Sequence, residues 1–342
     1  MQPTSQFSMT TTCLHPLITL RRPFALVCLV LLSLLTNPVR ADNGILLHNG
    51  QKLAFFGDSI TAHGWENPGG YVKLIMDAFA KEGITLTPIP AGGSGAKSDD
   101  LVERLDRLVL SKQPDWMTLS CGVNDVWSGA RGVPLDAYKK NMTEILDRAK
   151  AKGVKVLLLT ATVITEDENN PNNQKLAPYN DWLRQTARER NLPLADVGAA
   201  IRTALSKTKT SNSSRNLTID GVHMNAEGDL IMAKTCLRAF GFSEKQLEKI
   251  EQQWLTQPDN ATFNSGQNVS AKVGITLAQY RGMEAWAKSR DANLVDAQTT
   301  LWLRAVSEVI QAHAKDPILD AAKIQSEASD LIKSQFDRMP PP

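Results

Sequence analysis

Leu53-Ala54-Phe55-Phe56-Gly57-Asp58-Ser59-Ile60-Thr61 is the stretch that decides the fold. A short apolar run reads as a strand, and it runs directly into a Gly-Asp-Ser turn. Outward from it the same unit recurs. Ile84–Ile89, Trp116–Ser120, Val154–Thr160 and a short run near 194–197 read as further strands. Helical patterns fill the gaps, near 70–81, over 99–111 with Leu101, Leu105 and Leu108 on one face, over 135–152, near 179–190 and over 226–239. Strands alternating with amphipathic helices imply an α/β fold, three-layer α/β/α around a parallel five-stranded sheet. Ligands of such sheets bind outside the carboxyl ends of the strands. Polar motifs placed just after strands are therefore the candidates for chemistry.

Past Phe242 the pattern changes. Residues 243–258 read as a helix with Leu247, Ile250 and Trp254 at helical spacing, while 259–272 are polar and turn-rich, as expected of a linker or long loop. Residues 273–337 are rich in Ala, Leu and Gln, without strand signals, and predict two or three helices. The expected organisation is a signal peptide over 1–41, an α/β domain over 42–242 and a helical C-terminal region over 243–342.

The leader assignment rests on Arg21-Arg22, the 13-residue apolar run Pro23 to Leu35, and Val39-Arg40-Ala41 with small residues at the expected cleavage site. That run is shorter than the ~20 residues a membrane span needs. The expectation is a secreted or periplasmic protein with no membrane span after cleavage. The formal charge is +2, but residues 1–41 hold three arginines and no acidic residue, which leaves 35 basic against 36 acidic residues. A chain so balanced lacks the broad positive footprint of a nucleic-acid binder. Outside the leader only Cys121 and Cys236 remain, and both sit on apolar elements. They read as free, buried thiols rather than as a pair. No Cys/His cluster has zinc spacing, so neither a metal nor another cofactor is expected.

Four polar blocks follow strands or precede the last helix of the α/β part. They are Gly57-Asp58-Ser59, Ala91-Gly92-Gly93-Ser94-Gly95, Gly122-Val123-Asn124-Asp125 and Asp220-Gly221-Val222-His223. Alone, the first reads as a capping turn and the last as a cap with a space-filling histidine. In order, on matching elements, they resemble the SGNH hydrolases, also called GDSL-type esterases. The resemblance spans roughly residues 50–240 and implies the flavodoxin-like SGNH fold, an acyl-enzyme mechanism and an ester substrate.

On that resemblance Ser59 is the nucleophile. His223 is its base, with Asp220 three residues earlier orienting the ring. The backbone amides of Ser59 and Gly95 and the side-chain amide of Asn124 form the oxyanion hole. Pro90 stands where the family often has Asn, a departure from its pattern in the block that carries Gly95. Asp58 reads as a turn former, and no carboxylate is spaced to orient His63. The Gly69-Gly70-Tyr71-Val72 and Asn124-Asp125-Val126-Trp127 stretches resemble the carbohydrate-acetylesterase branch more than the lipase branch. An acetylated carbohydrate is the expected substrate. A short-chain acyl ester or lysophospholipid, and a non-catalytic carbohydrate-binding role on the same fold, are the alternatives. Trp65 and Trp127 lie near the expected rim, where either stacks on a sugar or packs in the core.

Overall fold

The first strand, β1 (Lys52–Gly57), is buried from Leu53 onward, including both Phe55 and Phe56. A strand without polar alternation must be covered on both faces, which requires the central place in a helix-flanked parallel sheet. In the computed structural model β1 pairs in parallel with β2 (Thr87–Gly92) on one side and with β3 (Trp116–Ser120) on the other. β4 (Lys155–Leu159) and the two-residue β5 (Leu194–Ala195) complete the order β2-β1-β3-β4-β5, parallel throughout. The connections leave β1 and β3 in opposite directions, so the crevice of this doubly wound sheet opens at the carboxyl ends of those two strands.

The structure describes residues 44–67, 69–210, 217–256, 259–264, 270–289, 294–313 and 321–336. The expected signal peptide over 1–41 lies outside them. Helices α1 (Ser59–Glu66), α2 (Tyr71–Lys81), α3 (Ser98–Leu108), α4 (Val123–Trp127), α5 (Leu135–Ala151), α6 (Pro171–Arg190), α7 (Val197–Thr210) and α8 (Ala226–Ala239) cover the sheet. α3 buries Leu101 and Leu105 as its spacing predicts. Among the described residues no helix is long and apolar enough to cross a membrane.

Several boundaries differ from the sequence reading. β2 starts three residues late and contains Pro88 and Pro90, which an edge strand tolerates because it need not donate on its outer side. Ala91 and Gly92 therefore belong to the strand rather than to the loop after it. α6 begins eight residues early, with Asn170 accepting from the Asn172 amide at 2.9 Å and Pro171 in the first turn; the internal Pro178 does not interrupt it. α1 and α7 were not anticipated. α1 is a short helix directly behind Ser59, and α7 buries Ile201 and Leu205, one turn apart.

The C-terminal region is helical, with α9 (Glu244–Thr256), α10 (Leu277–Ser289), α11 (Leu294–Ala312) and α12 (Ala321–Phe336). The expected linker over 259–272 is instead mostly strand. β6 (Asp259–Asn264) and β7 (Ser270–Ile275) form an antiparallel pair, with Thr262 opposite Lys272. Ala261 and Phe263, and Ala271, Val273 and Ile275, alternate with a period of two, a pattern too short to stand out within a polar stretch. α9 buries the expected stripe of Leu247, Ile250 and Trp254, and Trp254 Nε1 donates to Asp77 Oδ2 of α2 at 2.6 Å. Cys121 and Cys236 are both buried and both free.

Candidate active site

The chain turns sharply after β1. Asp58 is the N-cap of α1, its carboxylate accepting from the Ile60 amide at 3.0 Å, and Ser59 is the first helical residue. A residue there has no intrahelical partner for its own N–H. Ser59 thus presents its hydroxyl and a free-pointing amide together at the carboxyl end of the sheet. Burial lifts the Asp58 carboxyl to about 7, so this cap is largely protonated below neutral pH.

His223 arrives from 164 residues further along the chain. Its Nε2 lies 2.8 Å from Ser59 Oγ, and its Nδ1 lies 2.6 Å from Asp220 Oδ2. The Asp220 turn is closed by its other oxygen, which accepts from the amides of Val222 at 3.0 Å and His223 at 2.8 Å. Burial pushes the Asp220 carboxyl up, but the hydrogen bonds from the His223 ring and from these two amides outweigh it. The carboxyl stays below its ordinary value. An ionised Asp220 requires the proton on Nδ1, which leaves Nε2 with a lone pair facing the serine hydroxyl. The three residues singled out in the sequence are brought together in the order serine, histidine, aspartate.

The loop Leu217–Asn225 that carries His223 is not part of the sheet. Thr218 and Met224 bridge its two sides. Glu166 Oε1 accepts from the Thr218 amide at 2.7 Å and from its hydroxyl at 2.6 Å, while the Thr165 amide donates to the Gly221 carbonyl at 2.8 Å. Thr165 adopts φ 64°, a strained conformation for a β-branched residue. Neither Thr165 nor Glu166 belongs to a recognisable motif, and nothing in their local sequence marks them.

Gly95 lies at φ +68°, a conformation that favours glycine, with open space where a Cβ would be. Its neighbour Gly93 donates its N–H to the carbonyls of Gly57, at 3.0 Å, and Asp58, at 3.2 Å. The Gly93 amide is therefore engaged in holding the loop. Asn124, in the first turn of α4, gives one amide hydrogen to the Ala96 carbonyl at 3.1 Å and retains a second. Asp125 points the other way, into the protein, where it accepts from the Ser98 hydroxyl at 2.6 Å and its amide at 3.0 Å.

His63, set aside as a base because no carboxylate is spaced to orient it, nevertheless lies at the site. The His63 ring stacks on that of His223, with centroids 4.4 Å apart and planes inclined by 32°. Burial first, and then the neighbouring His223, push His63 below its ordinary pKa. The signal was available: His63 stands four residues after Ser59, which puts both on one face of a helix. Trp127 is 47% exposed at the end of α4, whereas Trp65 packs against the core.

Residues 55–231, just over half of the chain, match the GDSL-like lipase/acylhydrolase family. An acetylxylan esterase of Geobacillus stearothermophilus is 29% identical over 214 residues, which is 57% of this chain and 95% of that protein. The structure of Axe2, an acetylxylan esterase from the same organism, matches with a TM-score of 0.53 at 27% identity, covering 58% of this chain and 98% of that one. The structure of the acetyl xylan esterase AlAXEase gives a TM-score of 0.52 at 34% identity, covering 55% and 98%. Each relative is matched over nearly its whole length, so the remainder of this chain is additional to what they share. The chain belongs to the GDSL-like lipase/acylhydrolase family and is a carboxylic ester hydrolase.

Proposed function

We propose that this esterase is an exported protein that removes acetyl groups from a carbohydrate through an acetyl-enzyme on Ser59. The observation that carries the reading is the unbroken relay from Ser59 Oγ through His223 to Asp220, with contacts of 2.8 and 2.6 Å. His223 Nε2 takes the Ser59 proton as Oγ bonds to the acetyl carbonyl carbon. The charge on the carbonyl oxygen is met by the amides of Ser59 and Gly95 and by Asn124 Nδ2. Collapse breaks the bond to the sugar oxygen, which leaves with the proton from Nε2. His223 then deprotonates a water that attacks the acetyl-enzyme, and acetate departs as the proton returns to Ser59.

Carbohydrate is favoured over a lipid by the exposed Trp127 indole, three residues past Asn124, which offers a stacking face for a sugar ring beside the site. The names of the relatives point the same way. The Arg21-Arg22 flank and the apolar run after it support export.

The test is turnover of p-nitrophenyl acetate, then of acetylated xylooligosaccharides against long-chain acyl esters, in wild type and in Ser59→Ala. The reading expects acetyl hydrolysis that vanishes with Ser59→Ala and a clear preference for the acetylated sugar. A preference for long-chain esters would overturn the substrate class. Retention of more than a tenth of the activity in Ser59→Ala would overturn the nucleophile.

A further inference from the structure

One helix beyond the family match, α10, touches the first turn of α8, the helix that follows the His223 loop. α8 begins at Ala226, three residues past His223, and its first amides need partners. Asn225 takes one, accepting from the Gly228 amide at 3.0 Å. Glu284 of α10 takes another, its two oxygens 3.0 and 3.2 Å from the Ala226 amide nitrogen. Beside this contact Arg281 of α10 pairs with Glu227 of α8. On the far side, α10 lies so close to the chain before α2 that a Cβ on Gly69 would sit 2.9 Å from Leu277 Cδ1 and 3.2 Å from Tyr280 Cδ1. The segment it presses there leads to Tyr71. The Tyr71 amide donates to Asp229 of α8 at 3.0 Å, and its hydroxyl lies 2.9 Å from Thr61 Oγ1 of the nucleophile helix.

We propose that the C-terminal extension is a brace for the active site, and that Glu284 is a positioning residue for His223. The carboxylate of Glu284 fixes where α8 starts. The start of α8 fixes the end of the loop from which His223 reaches Ser59. A buried carboxyl is costly unless its partners hold it. Burial lifts that of Glu284 to about 7, against the Ala226 amide and Arg281, which lower it, and Glu227, which adds to the rise. Without this contact the Ala226 amide and the apolar faces of α8 and α10 lose their reference position. The extension is thus part of the catalytic unit rather than a separable appendage. This inference rests on the reading of Ser59 and His223 as nucleophile and base.

The test uses the full chain with Glu284→Ala, Glu284→Gln, Glu284→Asp and Arg281→Met, assayed on p-nitrophenyl acetate with Ser59→Ala alongside. Competent sites are counted by titration with a fluorophosphonate, so that misfolded protein does not enter kcat. Small misplacements of a catalytic group cost on the order of 10–100-fold, so Glu284→Ala should lower kcat by that factor with KM held within about twofold. Gln, which still offers an oxygen to the Ala226 amide, should recover most of the loss; Asp, one methylene short, should not. The downfield NMR resonance of the proton between His223 and Asp220 should broaden in Glu284→Ala and return in Glu284→Gln. Wild-type kcat in Glu284→Ala, or a Gln variant no better than Ala, overturns the brace. Should Glu284→Ala fail to accumulate folded, wild-type kcat in both Glu284→Asp and Arg281→Met overturns it instead. If Ser59→Ala stays active the nucleophile assignment is what fails, and the NMR signal alone then decides whether α10 positions His223.

Discussion

The nucleophile helix and the histidine loop meet where Ser59 Oγ and the His63 ring both face the His223 ring, yet they are held in place by different means. Ser59 is placed by its immediate neighbours in the chain. β1 ends, Asp58 caps, and α1 begins, all within a few residues and against the middle of the sheet. His223 sits on a loop outside the sheet, held by side chains borrowed from elsewhere: Glu166 from the segment after β4 and Glu284 from α10. The position of the serine is a local property of the chain, whereas that of the histidine is a tertiary one. Substitutions far from the chemistry should therefore act on the base more than on the nucleophile.

The most severe way to break the comparison is to remove the bond that joins the two parts. Ser59→Ala and His223→Ala are each expected to lower turnover by ~10³-fold or more, and the double variant little further, because members of one unit are not additive. Clear additivity in the double variant would mean that the two act separately. Asn124→Ala tests the nucleophile side alone. It should cost ~10²–10³ in kcat with little change in KM, since the donor acts on charge that develops only in the transition state. A change confined to KM would make Asn124 a substrate-positioning residue instead.

Glu166 sharpens the comparison from the other side. Glu166→Ala leaves two donors of Thr218 without their partner, which should remove roughly 1–3 kcal/mol of stability. Loosening the loop should also lower kcat by about tenfold. Stopped-flow acylation should show the deficit while the affinity for a non-reacting sugar is unchanged.

The smallest effect expected is on stability against pH. Burial raises Asp58 and Glu284 to about 7, above their ordinary 3.8 and 4.5. Between those values the folded protein holds protons that the unfolded chain has released. Their stabilisation is complete below the ordinary carboxylate range and is lost as pH rises through about 7. His63, pushed below its usual 6.5, works in the opposite sense. The informative quantity is therefore a difference. From about pH 5 to 8 the wild-type Tm should lose ground relative to Asp58→Asn/Glu284→Gln. Parallel Tm curves for the two proteins would show that these carboxyls do not titrate as described.

What could be read in the sequence divides along the same line. The sheet followed from its apolar runs, and Ser59, Asn124 and His223 from short polar blocks whose order resembles the SGNH hydrolases; both are contiguous signals. The Asp220–His223 contact was legible because three residues separate the pair and a turn closes the distance. Thr165, Glu166 and Glu284 were not, since each acts on residues about 50 or more positions away and none has a local pattern. The β6–β7 pair was hidden by its polar composition, and α1 by its brevity behind a motif that already had a meaning. His63 was legible from its spacing to Ser59, had the helix been recognised.

The two buried thiols offer an internal clock for each part. Cys121 lies beneath the crevice, its thiol 3.3 Å from Asp125 Oδ2, and Cys236 lies within α8. Burial pushes both well above the ordinary thiol range, so neither forms thiolate or meets solvent in the closed protein. An alkylating reagent must wait for each to be uncovered, and its rate then counts opening events. Labelling resolved by residue would time the sheet side and the α8 side separately in one sample, with no substitution needed. A faster rate at Cys236 would reveal breathing of the helix that follows His223 while the nucleophile turn stays shut.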